Sequence, residues 1–326
     1  MKVSSWVLVA LVGIAGLVSL DPALMGLSHT TPVLQAISLR GLLVAAAGVL
    51  TVLLAAVLVL VRLARGWVPQ LVVLVVLVAV AGAGHFGVLW QRGLDSEPFP
   101  AKPADAVDVM TLNTLGNAGG IDGLIAVVAQ YQPDVVALQE ITPESAAQVA
   151  AALQSDYQFF THTTGDHSVQ GTALLVSAAM GQYQQIDAPA TSFGAVWVTP
   201  VSGEGPPLLS VHPMPPIPGN VTVWESELVT LMQVCETEGV IMAGDFNATV
   251  DHAVLREAQC TDASVGVGGI GTWPAGRPAW LGAAIDHVLV DLQEWRPVAA
   301  QVLPAPDGGD HRAVLVRLQP ESPDDR

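Results

Sequence analysis

Three long apolar segments without Asp, Glu, Lys or Arg lie within the first 90 positions of this 326-residue chain. They cover residues 3–20, 41–61 and 71–89, and His85 is the one ionisable residue in the last of them. A helix needs roughly 20 apolar residues to cross the hydrocarbon core of a bilayer. The second and third segments have no polar stripe, which argues against amphipathic helices on a soluble domain. The sequence therefore predicts transmembrane helices.

The first segment has two interpretations. Lys2 precedes it, as a basic n-region precedes the apolar core of a secretory signal peptide. No small-x-small cleavage site follows, because the sequence Val-Ser-Leu at 18–20 ends in a bulky side chain. We favour an uncleaved helix, which gives three transmembrane helices, and keep the signal peptide as the alternative.

Basic residues in the short loops predict the orientation of these helices. Cytoplasmic loops carry an excess of Lys and Arg. Arg62 and Arg65 lie between the second and third segments, and Lys2 lies on the same side if there are three spans. Arg40 and Arg92 lie on the opposite side. We therefore expect a multi-pass protein of the cell membrane with a cytoplasmic N-terminus and an extracytoplasmic domain after the third segment.

Charge is distributed very unevenly along the chain. Five of the 12 Lys and Arg residues but only one of the 29 Asp and Glu residues precede position 95, which leaves seven bases and 28 acids in residues 95–326, a net charge of about −21. This segregation excludes a disordered chain, a purely soluble protein and a basic nucleic-acid-binding protein. We assign residues 1–92 to a transmembrane anchor, 93–106 to a stiff linker, 107–320 to a catalytic domain and 321–326 to a tail.

Short strand patterns alternate with helical patterns after residue 106. The strand patterns cover 107–112, 134–140, 157–162, 172–177, 195–199, 208–212, 240–243, 285–290 and 313–318. The helical patterns cover 121–131, 145–153 and 224–236. Helices between short β-branched runs indicate a layered α/β or α+β domain.

Polar side chains lie at the ends of six of these strands. They are all Asn, Asp, Glu or His: Asn113, Glu140, His212, Asp245 with Asn247, Asp286, and Asp310 with His311. One such residue alone is more often a turn or cap residue, but six positions together predict a shared site. Hard oxygen ligands suit Mg²⁺ or Mn²⁺, and the absence of a Cys/His cluster from the sequence argues against a structural zinc ion.

The same residues lie in a series of motifs. These are Met-Thr-Leu-Asn-Thr at 110–114, Pro-Asp-Val-Val-Ala-Leu-Gln-Glu at 133–140, Ser-Val-His at 210–212, Gly-Asp-Phe-Asn at 244–247, Ile-Asp-His-Val at 285–288 and Gly-Asp-His-Arg at 309–312. In order, type and spacing they resemble the motifs of the endonuclease/exonuclease/phosphatase superfamily, which has the DNase I-like fold. The anchor followed by such a domain is also similar to a group of actinobacterial membrane proteins, some associated with glycopeptide resistance.

Two departures from the superfamily pattern stand out. Gly309 occupies a position where the superfamily usually has Ser, and no ligand is lost by this change. A proline-rich stretch, Pro-Met-Pro-Pro at 213–216, follows His212 where many members have Leu. We expect this stretch to reshape the rim of the site.

The resemblance implies a four-layer α/β sandwich, with two mixed sheets face to face, helices outside and the active site at one end. It also implies a site for Mg²⁺ or Mn²⁺. Glu140 matches the metal carboxylate of the superfamily, and Asn113 and Asp310 match residues that flank the metal and help to bind it.

Five further residues match catalytic positions. His311 and Asp286 match the superfamily's His–Asp pair, and Asp245 with Asn247 match the pair that orients the attacking water and the phosphate. His212 matches the donor to the phosphoryl oxygens or the leaving group. The chemistry agrees, because a carboxylate partner raises the pKa of an imidazole and a carboxylate near water can act as a general base.

Charge and membrane attachment constrain the substrate of this expected Mg²⁺-dependent phosphoric ester hydrolase. Duplex DNA is an improbable partner, because its phosphates require Lys and Arg that the domain lacks. A site tethered at the membrane samples lipid headgroups at high effective concentration. We favour a phosphoester or pyrophosphate on a membrane lipid, with an isoprenoid carrier as the first candidate. The alternatives are a soluble small phosphoester, DNA degraded by an extracellular nuclease activity, and a non-catalytic phosphate-binding membrane sensor.

Cys235 and Cys260 are the only two cysteines, and both lie in the half that we expect outside the membrane. An oxidising compartment permits a disulfide between them. The sequence leaves this bridge and two separate buried thiols as alternatives.

Overall fold

The computed structural model describes residues 2–118, 120–153, 157–165 and 168–321, and residues 322–326 of the expected tail lie outside the described residues. The α-helices are α1 Lys2–Leu20, α2 Val33–Ser38, α3 Arg40–Arg65, α4 Pro69–Arg92, α5 Ile121–Tyr131, α6 Pro143–Ala152, α7 Val221–Gln233 and α8 Ala253–Arg256. The strands are β1 Val107–Asn113, β2 Val135–Gln139, β3 Tyr157–Thr163, β4 Gly171–Ser177, β5 Tyr183–Ile186, β6 Ala195–Pro200, β7 Leu208–Val211, β8 Ile241–Asp245, β9 Thr261–Asp262, β10 Asp286–Val290, β11 Trp295–Val302 and β12 Val314–Pro320.

The strands form two mixed six-stranded sheets. Their orders are β11-β12-β1-β2-β4-β3 and β5-β6-β7-β8-β10-β9. In each sheet one central pair is parallel, β1 with β2 and β7 with β8. Each parallel pair is flanked by antiparallel neighbours.

Hydrophobic side chains separate the domain into four layers. The central cluster joins the two sheets and includes Val109 and Val316 from one sheet and Val196 and Val288 from the other. A second cluster packs α5 and α6 on the outer face of the first sheet, and a third packs α7 on the outer face of the second. This helix–sheet–sheet–helix order confirms the predicted sandwich.

A disulfide lies in the third hydrophobic cluster, between α7 and the second sheet. Cys235 and Cys260 are bonded to each other and belong to the cluster that packs α7 on its sheet. Of the two alternatives that the sequence left open, the structure contains the bridge.

Two of the three predicted transmembrane helices meet the length and apolarity expected of a membrane span, α3 and α4. The described apolar part of α1, residues 5–20, is shorter. α1 packs along α4, where a methyl group on Gly16 would lie 3.3 Å from the Cβ of Ala81. α3 packs on the same helix, where a methyl group on Gly82 would lie 2.8 Å from the Cβ of Ala47. Small residues at such contacts let helix backbones approach closely.

A buried ionic network joins the apolar helices to the domain. Arg40 at the start of α3 donates to both carboxylate oxygens of Asp251, at 2.8 and 2.6 Å. Arg92 at the end of α4 donates to the same two oxygens at 2.9 and 2.6 Å. His85 is also buried, with Nδ1 2.9 Å from Nη1 of Arg40. The helix bundle is therefore held on the domain by specific contacts.

Residues 93–106, the expected linker, contain no helix or strand but lie along the domain. The backbone N–H of Gly269 donates to the Gly93 carbonyl at 3.0 Å, and the N–H of Val302 donates to Oγ of Ser96 at 3.1 Å. The guanidinium group of Arg317 lies 4.5 Å from the centre of the Phe99 ring. This segment is thus docked on the domain rather than a free spacer.

Candidate active site

The sheet topology brings the strand-end residues together. Asn113 ends β1 and Glu140 follows β2, and these two strands are parallel neighbours. His212 follows β7 and Asp245 ends β8, which is the parallel pair of the other sheet. Asp286 begins β10 directly opposite Asp245 in the antiparallel register. All five side chains therefore lie at the same end of the sandwich.

The backbone at this end is unusual in three places. Glu140 and Asn247 have φ of +55° and +49°, a left-handed conformation that non-glycine residues rarely adopt. Such strain concentrates at functional sites, where the surrounding structure enforces it. Gly244 lies so close to β7 that a methyl group on it would be 2.1 Å from the Val211 carbonyl oxygen. The first residue of Gly-Asp-Phe-Asn is therefore required by packing between strands.

His311 and Asp286 form a buried pair. Nδ1 of His311 lies 2.9 Å from Oδ2 of Asp286, and Oγ1 of Thr272 accepts the Asp286 backbone N–H at 3.3 Å. Burial opposes the imidazolium charge, but the charges of Asp286, Asp245 and Asp310 outweigh it and raise the pKa of His311 to about 10. This histidine is a cation at neutral pH.

The pKa of His212 is lowered, in contrast to that of His311. Its Nε2 lies 3.7 Å from Oδ2 of Asp245 and 4.0 Å from Oε1 of Glu140, and its ring lies 4.9 Å from that of Phe193. Burial dominates, and with the cationic His311 it lowers the pKa of His212 to about 4 despite the attraction of Asp245. The cleft therefore combines a neutral and a charged imidazole, which can serve different roles.

Asp245 is the centre of the cluster. One carboxylate oxygen accepts the backbone N–H of Asn247 at 2.8 Å, and the other accepts from Nδ2 of Asn113 at 3.1 Å and lies 3.8 Å from Nε2 of His311. Burial and the neighbouring Asp286 raise the pKa of Asp245. A buried carboxylate with a raised pKa is suited to accept a proton from water.

Carboxylate oxygens without partners fit a divalent cation. Oε2 of Glu140 and Oδ1 of Asp310 are buried and accept no hydrogen bond among the described residues. Burial raises the pKa of Glu140, and the negative charges of Asp245 and Asp310 raise it further. A buried carboxylate oxygen without a donor is costly unless a cation balances its charge. Nδ2 of Asn113 donates to the other Glu140 oxygen at 3.0 Å.

A second group could also hold a metal. The ligand atoms of Asp245, Asp286 and His311 all lie within 4.8 Å of one another. His311 is a poor ligand there, because its raised pKa keeps it protonated and it already pairs with Asp286. The side of the cleft formed by Glu140 and Asp310 fits a metal better, because each of these residues has a buried carboxylate oxygen that accepts no hydrogen bond among the described residues.

Several residues of the cleft carry no polar strand-end signal in the sequence. Nε1 of Trp273 donates to Asp310 at 3.1 Å, and Arg312 donates to the Gly271 and Ala275 carbonyls that shape the Trp273 loop. The available signals are the Trp-Pro sequence at 273–274, which precedes the Ile-Asp-His-Val motif, and the Arg that ends the Gly-Asp-His-Arg motif at 309–312. No sequence signal marks Phe193, which is apolar and distant in the chain.

The cluster lies in an open cavity of about 530 Å³. Glu140, His212, Asp245, Asp310 and His311 line it together with apolar residues. This volume is within the usual range for small-molecule sites, roughly 300–1,000 Å³.

A sequence model of the Endonuclease/Exonuclease/phosphatase family matches residues 110–311, more than half of the chain. The chain belongs to this family. Its members are nucleases, phosphodiesterases and phosphatases and are generally dependent on divalent metals. No curated protein sequence matches the chain.

Solved structures with the same fold are distant in sequence. A humanized TDP2 from D. rerio has 18% identity and a TM-score of 0.53 over 66% of this chain and all of its own. The AP endonuclease LMAP from Leishmania major has 15% identity and a TM-score of 0.54 over 72% of this chain and 94% of its own. The human Nocturnin catalytic domain with a bound sulfate anion has 14% identity and a TM-score of 0.52 over 67% of this chain and 94% of its own. At these identities the likeness concerns the fold.

Proposed function

We propose that this protein is a membrane-anchored, extracytoplasmic phosphoesterase that hydrolyses a phosphoester or pyrophosphate on a membrane lipid. An isoprenoid pyrophosphate carrier is the first candidate substrate. One observation carries the proposal: His311, which pairs with the buried Asp286, lines one cavity together with Asp245, whose pKa is raised, and Glu140, which has a carboxylate oxygen without a partner among the described residues.

Mg²⁺ or Mn²⁺ is the metal that this donor set favours. Glu140 would hold it, with Asp310 and Asn113 beside it, because carboxylate and amide oxygens are hard ligands. Such an ion, when bound, neutralises charge that develops on the phosphoryl oxygens. No cysteine lines the cavity among the described residues, in keeping with a hard cation.

The remaining residues orient the reactants. Asp245 accepts the proton of the attacking water, and its raised pKa matches that task. His311 is a cation held in place by Asp286, and it stabilises negative charge on the phosphoryl group. His212 is neutral and offers an N–H, and Asn247 adds an amide donor at the same edge.

The membrane part of the proposal is supported by the helix bundle. α3 and α4 have the length and apolarity of membrane spans, and the shorter apolar helix α1 packs along α4. Arg40 and Arg92 mark the domain end of the bundle, and Arg62 and Arg65 mark the far end, which the loop charges assign to the cytoplasm. A reporter fused to the C-terminus tests this: activity of alkaline phosphatase supports it, and fluorescence of cytoplasmic GFP contradicts it.

Charge argues against a long nucleic acid as substrate. The part of the chain after residue 94 has a net charge of about −21, and Arg312, the base nearest to the cluster in sequence, uses its donors on loop carbonyls. Counterion release, which drives duplex binding, requires free Lys and Arg.

A substrate panel separates the proposal from its alternatives. Isoprenyl pyrophosphate, a phospholipid, a nitrophenyl phosphodiester and DNA would each be incubated with Mg²⁺ and with EDTA. Preferred hydrolysis of a lipid-linked substrate in Mg²⁺ supports the proposal. Preference for the nitrophenyl ester or for DNA favours a soluble phosphoester or a nuclease, and binding of phosphate ligands without any turnover favours a sensor.

A further inference from the structure

We propose that the cavity has a second subsite, beside the phosphate site, which holds the first carbons of the substrate's hydrocarbon chain, and that the transmembrane anchor supplies one of its walls. The inference rests on the proposed function, because it names the part of a lipid-linked phosphoester that this cavity recognises. It makes the anchor a component of the substrate site as well as a tether.

The anchor wall comes from the segment between α1 and α3. Gln35 and Ser38 of α2 and the following residue, Leu39, line the same cavity as Asp245 and His311. Leu39 directly precedes Arg40, the first residue of α3. The phosphate site is therefore held at the level where a membrane-spanning helix begins, and this is the level of lipid headgroups.

The adjoining wall comes from the proline-rich stretch after His212. Pro215, Pro216 and Ile217 line the cavity, and Nε2 of Gln35 donates to the Pro216 carbonyl at 3.0 Å. This hydrogen bond joins the two walls. The side chain of Ile217 is 52% exposed, although it is large and apolar.

The composition of the walls identifies the occupant. Leu39, Phe193, Ile217, Trp273 and Ile285 present apolar side chains to the cavity, and none of its described lining residues is Lys or Arg. Apolar side chains gathered beside polar catalytic groups in an open cavity mark a binding site for an apolar ligand, and Ile217 and Trp273 among them are exposed. A sugar or nucleobase would need more hydrogen-bonding groups than Gln35 and Ser38 provide in this region. The occupant that fits is a hydrocarbon chain continuous with the phosphate.

The test measures how binding depends on chain length. Butyl and octyl phosphonate, which contain no hydrolysable ester bond, would be titrated by calorimetry into the full-length protein in detergent with Mg²⁺. Each methylene that enters an apolar site tightens binding by up to roughly fourfold. We expect the octyl compound to bind at least about tenfold more tightly than the butyl compound. Partition of the ligands into detergent is the same for every variant, so differences between variants report the cavity.

Three variants assign the effect to the two walls. Leu39→Ser and Ile217→Ser should each reduce the increase in affinity between butyl and octyl phosphonate to about threefold or less. Ile217 is exposed, so its substitution guards against a folding defect at the half-buried Leu39. Leu24→Ser is the matched control, because Leu24 lies in the same segment between α1 and α3, is 76% exposed and does not line the cavity. It should keep the full gain.

The outcomes separate this inference from the proposed function. The subsite would be overturned if the wild type bound neither phosphonate or bound both with the same affinity. It would also be overturned if the affinity rose equally from butyl to octyl phosphonate in all three variants. Hydrolysis of short-chain and long-chain prenyl pyrophosphates with equal kcat/KM would also overturn it, while leaving the phosphoesterase intact. Binding that depends on Leu39 and Ile217 without any hydrolysis would support the subsite and contradict the proposed function.

Discussion

His311 and Asp286 lie 2.9 Å apart through Nδ1 and Oδ2 at a buried end of the sandwich, and the second ring nitrogen of His311 points towards Asp245 at 3.8 Å. The two residues come from different sheets, since Asp286 begins β10 and His311 precedes β12. The pair therefore joins the two sheets at the candidate active site. It fixes the ring orientation and keeps the imidazole charged.

Replacing either member of this pair should impair catalysis without unfolding the protein. We expect Asp286→Asn and His311→Ala each to reduce turnover by about 10² to 10⁴. The double variant should be little worse than the more impaired single variant, because residues that act as a unit are non-additive. Turnover and Tm would be measured on the same three proteins. Near-normal turnover of Asp286→Asn would show that this residue only caps a strand.

The pH dependence of turnover should reveal the charged histidine. The folded-state pKa of His311 is raised above its ordinary value, to about 10, so the cation persists at neutral pH and is lost as the pH rises through about 10. Turnover should fall in that range, whereas the stabilisation that the cation contributes should be full below about pH 6.5 and be lost progressively as the pH rises from there through about 10. In Asp286→Asn the decline of turnover with rising pH should begin at a lower pH than in the wild type. The same high-pH decline of turnover in both proteins would contradict the assignment of this decline to His311.

Glu140 should control metal binding. Mg²⁺ at a hundredfold excess over its Kd stabilises a protein by about 2.7 kcal/mol, which corresponds to a rise in Tm of several degrees. We expect this rise in the wild type and its loss in Glu140→Gln. Glu144→Gln is the matched control, because Glu144 is an exposed acid four residues away. If Mg²⁺ raised the Tm of Glu140→Gln as much as that of the wild type, the metal would bind elsewhere.

Asp251 should hold the helix bundle on the domain. Burial raises the pKa of its carboxyl group, but the hydrogen bonds and charges of Arg92 and Arg40 outweigh burial and hold it well below the ordinary range. Asp251→Asn leaves two arginines without their charge partner. Breaking such a buried pair typically lowers the free energy of unfolding by about 3–5 kcal/mol. Asp21→Asn removes an exposed ion pair with Arg256 at the same interface and should cost at most about 1 kcal/mol. Thermal unfolding of both variants in detergent tests this, and equal losses would contradict it.

Much of the sandwich could be predicted because its central strands are continuous apolar runs. β2 and β8 are buried at every position, and α5 has the predicted bounds. β5, β9 and β11 were not predicted. β5 carries two exposed Gln residues, and β11 contains Pro297 beside an irregularity in its register. Edge strands of this kind lack the periodic pattern on which the prediction depends.

The site followed from the sequence to the extent that its residues lie in local motifs. Asp245 and Asn247 are two residues apart, and their geometry is local. The contact of Leu39 with the cavity and the ion pair of Arg40 with Asp251 join parts of the chain that are far apart in sequence. Such contacts depend on how the bundle packs on the sandwich, which periodicity and composition do not encode.

The most direct test of the account is turnover of isoprenyl pyrophosphate by the full-length protein and by Asp245→Asn, each in Mg²⁺, in EDTA, and after Mg²⁺ or Mn²⁺ is restored. The Asn side chain keeps the shape of Asp245 but cannot accept the proton of the attacking water. We predict release of phosphate or pyrophosphate by the wild type in Mg²⁺, no release in EDTA, recovery with either metal, and turnover at least about 10³ lower in Asp245→Asn. Equal turnover by the two proteins, or undiminished turnover in EDTA, would contradict the account.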